Sequence, residues 1–302
     1  MNEIKSGIWK SGRHTAQNTL ITCIICKSGE MSKELGKVKT FWDSRPCNYH
    51  HSDKEVGTRA YFDEVEAKKY RAEPHIPAFA EFDAWAGKDV LEIGCGIGTA
   101  VVCFARAGAI VTAVDLSEVS AELCKKRLDV YGLQGTVLSG NAEELDTLLP
   151  TTKQYDLVYS FGVIHHTPNP RAVIEQATRF VKPGGQLRLM LYSLVSYKVF
   201  QVMHETNQWN VSNMRALIEE YSEAQTGSPC TYVYTFAEVE QLLHPHFKIK
   251  RIWKDHIFTW DIDEYKKGNF VRAEPWKNIG DEQLKVLEAE LGWHTMVIAE
   301  PS

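Results

Sequence analysis

The stretch Val90-Leu91-Glu92-Ile93-Gly94-Cys95-Gly96-Ile97-Gly98-Thr99 determines the predicted fold of this chain. Its apolar residues are typical of a strand buried in a parallel sheet, and a helical pattern begins directly after the glycines. Three glycines within five positions let the backbone turn sharply and let a ligand approach bare peptide groups. A helix that starts after such a turn presents unpaired N–H groups. The stretch therefore predicts a ligand-binding turn of the kind that binds nucleotides.

The spacing of the glycines and two nearby acids narrow the choice of ligand. The dinucleotide-binding motif is G-x-G-x-x-G, whereas this turn reads E-x-G-x-G-x-G from Glu92 to Gly98. Glu92 would repel a pyrophosphate, but it suits a ligand that carries an ammonium group. Asp115 ends a second apolar run, 21 residues after Gly94. This is close to the interval of about 20 residues at which nucleotide-binding folds place a ribose-binding acid.

In this turn and the segments after it, the sequence resembles the class I S-adenosylmethionine-dependent methyltransferases. Further strands are predicted at 136–138, 155–161 and 186–191, in the order of that family. The resemblance implies an α/β fold with a Rossmann-like, seven-stranded, mostly parallel sheet and helices on both faces. It also implies an N-terminal helical cap and an inserted helical lid. The last strand, from Trp293 to Ile298, is expected to run antiparallel.

We expect five segments along the chain. Residues 1–37 would be an N-terminal extension, for which disorder is one expectation, and residues 38–86 the N-terminal helical cap. Residues 87–193 would form the cofactor-binding half of the methyltransferase domain. Residues 194–246 would form the helical lid, and residues 247–302 the C-terminal strands that complete the sheet.

The resemblance implies that S-adenosyl-L-methionine is the cofactor. Glu92 and the glycine turn would hold its methionine end, Asp115 its ribose, and the segment after the third strand its adenine. The implied cofactor-binding residues are Glu92, Gly94, Cys95, Gly96, Gly98, Asp115, Leu116, Asn141, Ala142, Glu143 and Phe161.

Two adjacent histidines, His165 and His166, directly follow the fourth strand, where the family places acceptor-facing residues. A histidine with a pKa near neutrality can remove a proton from an acceptor, so one of them is the candidate catalytic base. The alternative is that this loop only shapes the site.

Candidates for the acceptor-binding surface lie before the first strand, where helices of this family commonly cover the cofactor. They are aromatic or basic: Trp42, Arg45, Tyr61, Tyr70 and Arg71. The alternative for each of them is that it attaches the helices to the sheet.

Composition limits the remaining classes of function. The chain has 302 residues, 44% hydrophobic residues and a net charge of −5, which favour a globular protein without a nucleic-acid partner. Seven cysteines, an odd number, indicate a reducing compartment. Cys23 and Cys26 lack a second pair of zinc ligands, so no metal is expected, and the apolar run around them is too short to span a membrane. We therefore expect a cytoplasmic protein with no membrane partner, for which Met31 is an alternative start.

The predicted function is transfer of a methyl group from S-adenosylmethionine to an O, N or S atom of a small-molecule metabolite. Three alternatives stay open: an NAD-type oxidoreductase, a methyltransferase that acts on a macromolecule, and a non-catalytic scaffold. The shortened glycine turn and Glu92 disfavour the first, and the intact site acids disfavour the last. The sequence does not fix the oligomeric state, and a homodimer is compatible with it.

Overall fold

The structure is a computed structural model that describes residues 28–221 and 228–302. Its centre is a seven-stranded sheet with the strand order β3-β2-β1-β4-β5-β7-β6. The strands are β1 (Asp89–Ile93), β2 (Ile110–Asp115), β3 (Thr136–Ser139), β4 (Tyr155–Phe161), β5 (Val181–Tyr192), β6 (Phe247–Asp255) and β7 (His294–Pro301). Strands β1 to β5 pair in parallel, whereas β7 runs antiparallel to both β5 and β6. The predicted fold class is confirmed, including its antiparallel last strand.

Helices precede the sheet, connect its strands and follow β5. They are α1 (Ser28–Ser44), α2 (Arg59–Ala72), α3 (His75–Ala80), α4 (Thr99–Arg106), α5 (Glu118–Tyr131), α6 (Leu145–Leu148), α7 (Pro170–Phe180), α8 (Tyr197–Glu205), α9 (Met214–Tyr221), α10 (Phe236–Leu243), α11 (Ile262–Lys266) and α12 (Asp281–Leu291). Short 3-10 helices span Tyr49–His51, Phe82–Trp85, Ala142–Glu144, Ile164–His166, Val211–Asn213 and Glu274–Trp276. None of the helices in the described ranges is long and apolar enough to cross a membrane.

The alternation of side chains along β1 explains how the sheet carries both a core and a site. Leu91 and Ile93 belong to the hydrophobic core on one face of the sheet, and Val90 belongs to the core on the other face. Because successive strand residues point to opposite faces, Glu92 shares the face of Val90. The chain reverses its direction of strand addition between β1 and β4, and open α/β sheets bind ligands at such a switch point. Glu92 therefore lies in the strand that borders the expected ligand crevice.

The segments predicted outside the sheet are helical in the structure. Helix α1 crosses the boundary that the sequence places between residues 37 and 38. The insertion between β5 and β6 contains α8, α9 and α10, and the first two share a small hydrophobic core that includes Val202 and Ile218. The predicted features within residues 1–27, among them Cys23 and Cys26, lie outside the described residues.

Candidate functional site

A cavity opens at the carboxyl ends of β1, β2 and β4, and its volume is about 1050 Å³, including the solvent at its mouth. Helix α1 covers it with Leu35, Val38 and Trp42. The cap before the sheet therefore contributes to the cavity, as the resemblance implied. Nine of the eleven predicted cofactor residues line it: Glu92, Gly94, Cys95, Gly96, Asp115, Leu116, Asn141, Ala142 and Phe161.

The two other predicted cofactor residues, Gly98 and Glu143, are not part of the lining. Gly98 adopts a left-handed conformation with φ 78° at the start of α4, and a Cβ there would lie 2.7 Å from the Cys124 sulfur atom. Gly98 therefore allows α4 and α5 to pack closely against each other. Glu143 accepts a hydrogen bond of 2.8 Å from the Asn169 backbone N–H, which directs its carboxylate towards the loop after β4. The structure therefore places Gly98 in a helix contact and Glu143 in a loop contact, outside the cavity lining.

Glu92 is a buried acid in the cavity wall. Its Oε2 atom has no hydrogen-bond partner among the described residues. Burial raises the pKa of Glu92 to about 8, because a charged carboxylate is poorly solvated there, and the neighbouring Asp115 adds to the rise. Lys69 and Arg127 act in the opposite direction. An unpaired buried carboxyl oxygen is costly, so this side chain is suited to a ligand that brings its own donor.

Asp115, at the end of β2, is held differently. Its Oδ2 accepts a hydrogen bond of 2.7 Å from the Gly96 backbone N–H, and its Oδ1 accepts one of 2.9 Å from the Ser117 N–H. Burial raises its pKa to about 6, although these two hydrogen bonds favour the charged form. The carboxylate is therefore fixed in position with a lone pair of each oxygen left for ligand hydroxyl groups.

Lys69, from α2, is a cavity residue that the sequence analysis missed. Its ammonium group lies 5.8 Å from the centroid of the Phe161 ring and opposes the rise in the pKa of Glu92. The signal was helical spacing: Lys69 falls on the α2 face of Phe62 and Val65, both of which are buried. The cavity thus holds a buried acid and a cation near each other.

The two candidate bases occupy different environments. His165 is buried, its ring lies 3.8 Å from that of Tyr192, and it is not part of the cavity lining. Burial lowers its pKa far below the usual value, so it stays neutral. His166 lines the cavity, and its Nδ1 lies 2.9 Å from the Cys230 carbonyl oxygen. That carbonyl can only accept, so Nδ1 is the donor in this contact and Nε2 is the ring nitrogen assigned to the acceptor.

Of the five candidates for the acceptor surface, only Trp42 lines the cavity, where its ring lies 5.3 Å from that of His166. Arg45 is half-buried outside the lining. Tyr61 is fully buried and donates a hydrogen bond to the Tyr49 carbonyl. Tyr70 contacts Cys103, and Arg71 lies over the Phe270 ring.

The structure therefore does not bring Arg45, Tyr61, Tyr70 or Arg71 into the cavity lining. For the three residues of α2 the physical reason is the orientation of that helix: it presents Tyr61 to the core below it and Arg71 to the ring of Phe270, while Lys69 lines the cavity.

Comparison with known proteins agrees with this geometry. Residues 91–189 match a family model described as a methyltransferase domain. The matched residues run from β1 into β5, and this part of the chain is similar to a methyltransferase domain.

Two relatives of this methyltransferase domain are bacterial enzymes named ubiquinone biosynthesis O-methyltransferase. The protein of Klebsiella pneumoniae (strain 342) is 36% identical over 101 residues, which are 33% of this chain and 41% of that protein. The protein of Dechloromonas aromatica (strain RCB) is 39% identical over 104 residues, which are 34% of this chain and 44% of that protein. The chain thus spans less than half the length of the curated relatives it matches.

Solved structures show the same fold over most of the chain. The crystal structure of magnesium protoporphyrin IX methyltransferase from Synechocystis PCC 6803 with bound SAH gives a TM-score of 0.53 at 16% identity. The match covers 89% of this chain and 100% of that one. At this identity the similarity concerns the fold alone, which extends well beyond the matched domain into the cap and the C-terminal strands.

Proposed function

We propose that the protein transfers a methyl group from S-adenosylmethionine to an oxygen atom of a small molecule. The observation that carries the proposal is the charge arrangement in the cavity: Glu92, buried and with an unpartnered oxygen, lies near the ammonium group of Lys69. The methionine end of S-adenosylmethionine is a zwitterion. Its ammonium group would meet Glu92, and its carboxylate would meet Lys69.

Other cavity residues fit the rest of this cofactor. Asp115 can accept hydrogen bonds from two ribose hydroxyl groups, and Leu116 and Ala142 offer apolar surface to an adenine ring. Phe161 would lie beside the sulfonium, whose positive charge an aromatic face attracts. The bound cofactor supplies an activated methyl group. A nicotinamide dinucleotide fits less well, because Glu92 would face its pyrophosphate.

The chain's own task is then to orient the acceptor and to exclude water. Trp42 covers the cavity, and His166 beside it is the side chain that would take the proton of an acceptor hydroxyl group. The choice of an oxygen acceptor is supported by the names of the two bacterial relatives. A compact covered cavity also favours a small acceptor over a macromolecule.

Binding of S-adenosylmethionine and of its demethylated product, measured by titration calorimetry, tests the cofactor assignment. Glu92→Gln and Lys69→Met should each weaken binding by about 10- to 100-fold, because each removes one charge-assisted contact. Glu144→Gln and Lys68→Met are matched controls outside the cavity and should bind as the unmodified protein does.

The absence of binding heat with either ligand would contradict the cofactor assignment, as would tight binding of NAD instead. Labelled methyl transfer to hydroxylated metabolites then tests the acceptor. His166→Gln should lower kcat more than it changes the Kd of the cofactor, since the proposal assigns the histidine to the acceptor alone.

A further inference from the structure

Three imidazoles and a carboxylate come together beside Phe161, outside the lining of the cofactor cavity. The rings of His256 and His294 lie 4.6 Å apart, and His75 lies 5.1 Å from each of them. Glu73 joins them with its Oε1 3.8 Å from His294 Nε2. His75 and His294 also contact the ring of Phe161, so the cluster is one side chain away from the cavity.

The geometry of three of these residues suits a metal ion. One ligand atom each from Glu73, His256 and His294 lies within 4.8 Å of the other two. Ligand atoms around a tetrahedral zinc ion, at about 2.1 Å from the metal, are roughly 3.4 Å apart. Side-chain shifts of about 1 Å would therefore close the site. Glu73 follows the last residue of α2, and its side chain is partly exposed.

His75 fixes the orientation of one ligand. Its Nε2 lies 3.0 Å from His294 Nδ1, so one nitrogen of His294 is engaged in a hydrogen bond. The other nitrogen, Nε2, is the atom that faces Glu73. Histidines that bind metals commonly use the second ring nitrogen in this way, and the hydrogen bond holds the ring in its ligating orientation.

The backbone holds His256 and His294 in place without help from an ion. In the antiparallel pair of β6 and β7, Asp255 is the partner of His294, and the Trp293 N–H donates to the His256 carbonyl at 2.8 Å. His256 has φ 65°, a left-handed conformation that is uncommon outside glycine.

We propose that Glu73, His256 and His294 bind a divalent first-row transition-metal ion of the Zn²⁺ class, with His75 as the positioning residue of His294. Two histidines and one carboxylate form a ligand set of zinc and non-haem iron sites, in which at least one coordination position stays open. The carboxylate supplies the negative charge that a cation needs in the field of Lys69. The ion would join the end of α2 to β6 and β7, and so would attach the cap to the sheet.

The sequence predicts no metal, because zinc ligands are expected in pairs at short spacing along the chain. Glu73 and His256 are far apart in the chain and meet only through the fold. The proposal does not depend on the proposed function, since it concerns residues outside the cofactor cavity.

The test measures metal binding directly. Because Cys23 and Cys26 could themselves bind Zn²⁺, the full chain carrying Cys23→Ser and Cys26→Ser serves as the parent protein. After treatment with a chelator, it is titrated with Zn²⁺ or Co²⁺ and analysed for metal content and for the visible spectrum of bound Co²⁺. We expect about one equivalent of metal, a tetrahedral or five-coordinate Co²⁺ spectrum and a rise in Tm with Zn²⁺.

Variants then assign the ligands. Glu73→Gln and His294→Gln should weaken Zn²⁺ binding at least 10-fold and abolish the Co²⁺ spectrum, and His75→Gln should weaken binding by about 10-fold. His50→Gln, an exposed histidine, is the matched control and should change nothing. Circular dichroism and binding of the demethylated cofactor product verify that each variant is folded.

Two results would overturn the proposal. One is a parent protein that takes up no Zn²⁺ or Co²⁺ although it is folded. The other is metal binding that survives both Glu73→Gln and His294→Gln.

Discussion

The turns that follow β1 and β2 lie side by side at the cavity, but they differ in how the acid of each strand is hydrogen-bonded. Among the described residues, only the acid of β2 has a hydrogen-bond partner for both of its oxygens. At the end of β2, both oxygens of Asp115 accept backbone hydrogen bonds, and the Ser117 side chain caps α5 by accepting from the Ser120 N–H. At the end of β1, Glu92 Oε2 has no hydrogen-bond partner among the described residues, and α4 begins at Gly98 without a side-chain cap.

This difference indicates which turn receives the charged end of a ligand. A turn whose polar groups already have hydrogen-bond partners in the protein is held in position, and it can form a few further hydrogen bonds with a ligand. A turn with an unsatisfied buried acid is incomplete, and this lowers the stability of the folded protein. Functional sites are where such local costs are expected, because the ligand removes them.

The largest expected effect on stability comes from Gly98→Ala, which tests the contact between α4 and α5, the helices that follow the two turns. The left-handed φ disfavours alanine, and the new Cβ would lie 2.7 Å from Cys124 Sγ and 3.1 Å from Cys124 Cα. We expect the free energy of unfolding to fall by about 3 kcal/mol, measured by urea denaturation.

Gly132→Ala is the matched control for this substitution. Gly132 has φ +66°, but a Cβ added to it would have nothing within 4 Å, so only the conformational cost of about 1 kcal/mol remains. Equal losses in the two variants would show that α4 and α5 do not pack through Gly98 as described.

The next prediction compares how Glu92 and Asp115 make the stability of the protein depend on pH. The folded-state pKa of Glu92 is about 8 against a usual value of 4.5, so the folded protein retains a proton that the unfolded chain loses. The stability of the unliganded protein therefore falls as pH rises from about 4.5 to 8, and Glu92→Gln removes this fall. Between pH 5 and pH 7 the variant should gain about 2.5 kcal/mol relative to the unmodified protein, although we expect it to bind the cofactor more weakly.

Asp115→Asn is the counterpart at β2. The pKa of Asp115 is raised only to about 6 from 3.8, so its pH-dependent contribution is lost mostly between pH 4 and pH 6. The gain of this variant between pH 5 and pH 7 should be about 1.3 kcal/mol, roughly half that of Glu92→Gln. Urea denaturation of the three proteins at both pH values provides the comparison, and a larger gain at position 115 would reverse our assignment of the incomplete turn.

The smallest effect concerns the cap of α5. Ser117→Ala removes the acceptor of the Ser120 N–H and should lower the free energy of unfolding by about 1 kcal/mol. Because Ser117 does not line the cavity, the Kd of the demethylated cofactor product should change less than threefold. A large loss of affinity would mean that the β2 turn also depends on ligand-facing side chains that the cap orients.

The cofactor half of the site was accessible from the sequence because its residues belong to short segments with a fixed local geometry. Glu92, Gly94 and Gly96 share one strand and its turn, and Asp115 ends the next strand. Parallel strands bring their carboxyl ends to one edge of a sheet, so these residues meet once the strand order is known.

The contribution of α2 to the cavity was not accessible in the same way. Tyr61 and Lys69 lie on one helix, and the sequence favoured Tyr61 as a cavity residue because of its aromatic side chain. The rotation of α2 on the sheet buries Tyr61 in the core and presents Lys69 to the cavity, and that rotation depends on packing against residues such as Ile97.

The sequence by itself determined the sheet, its antiparallel last strand and the acids at the ends of β1 and β2, because glycine turns and apolar runs act over a few residues. Only the tertiary structure decided that Lys69 faces Glu92, that His166 rather than His165 reaches the cavity, and that Glu73, His256 and His294 meet. These placements depend on the rotation of helices and on contacts between segments that are distant in the sequence. Local sequence patterns do not determine such distances.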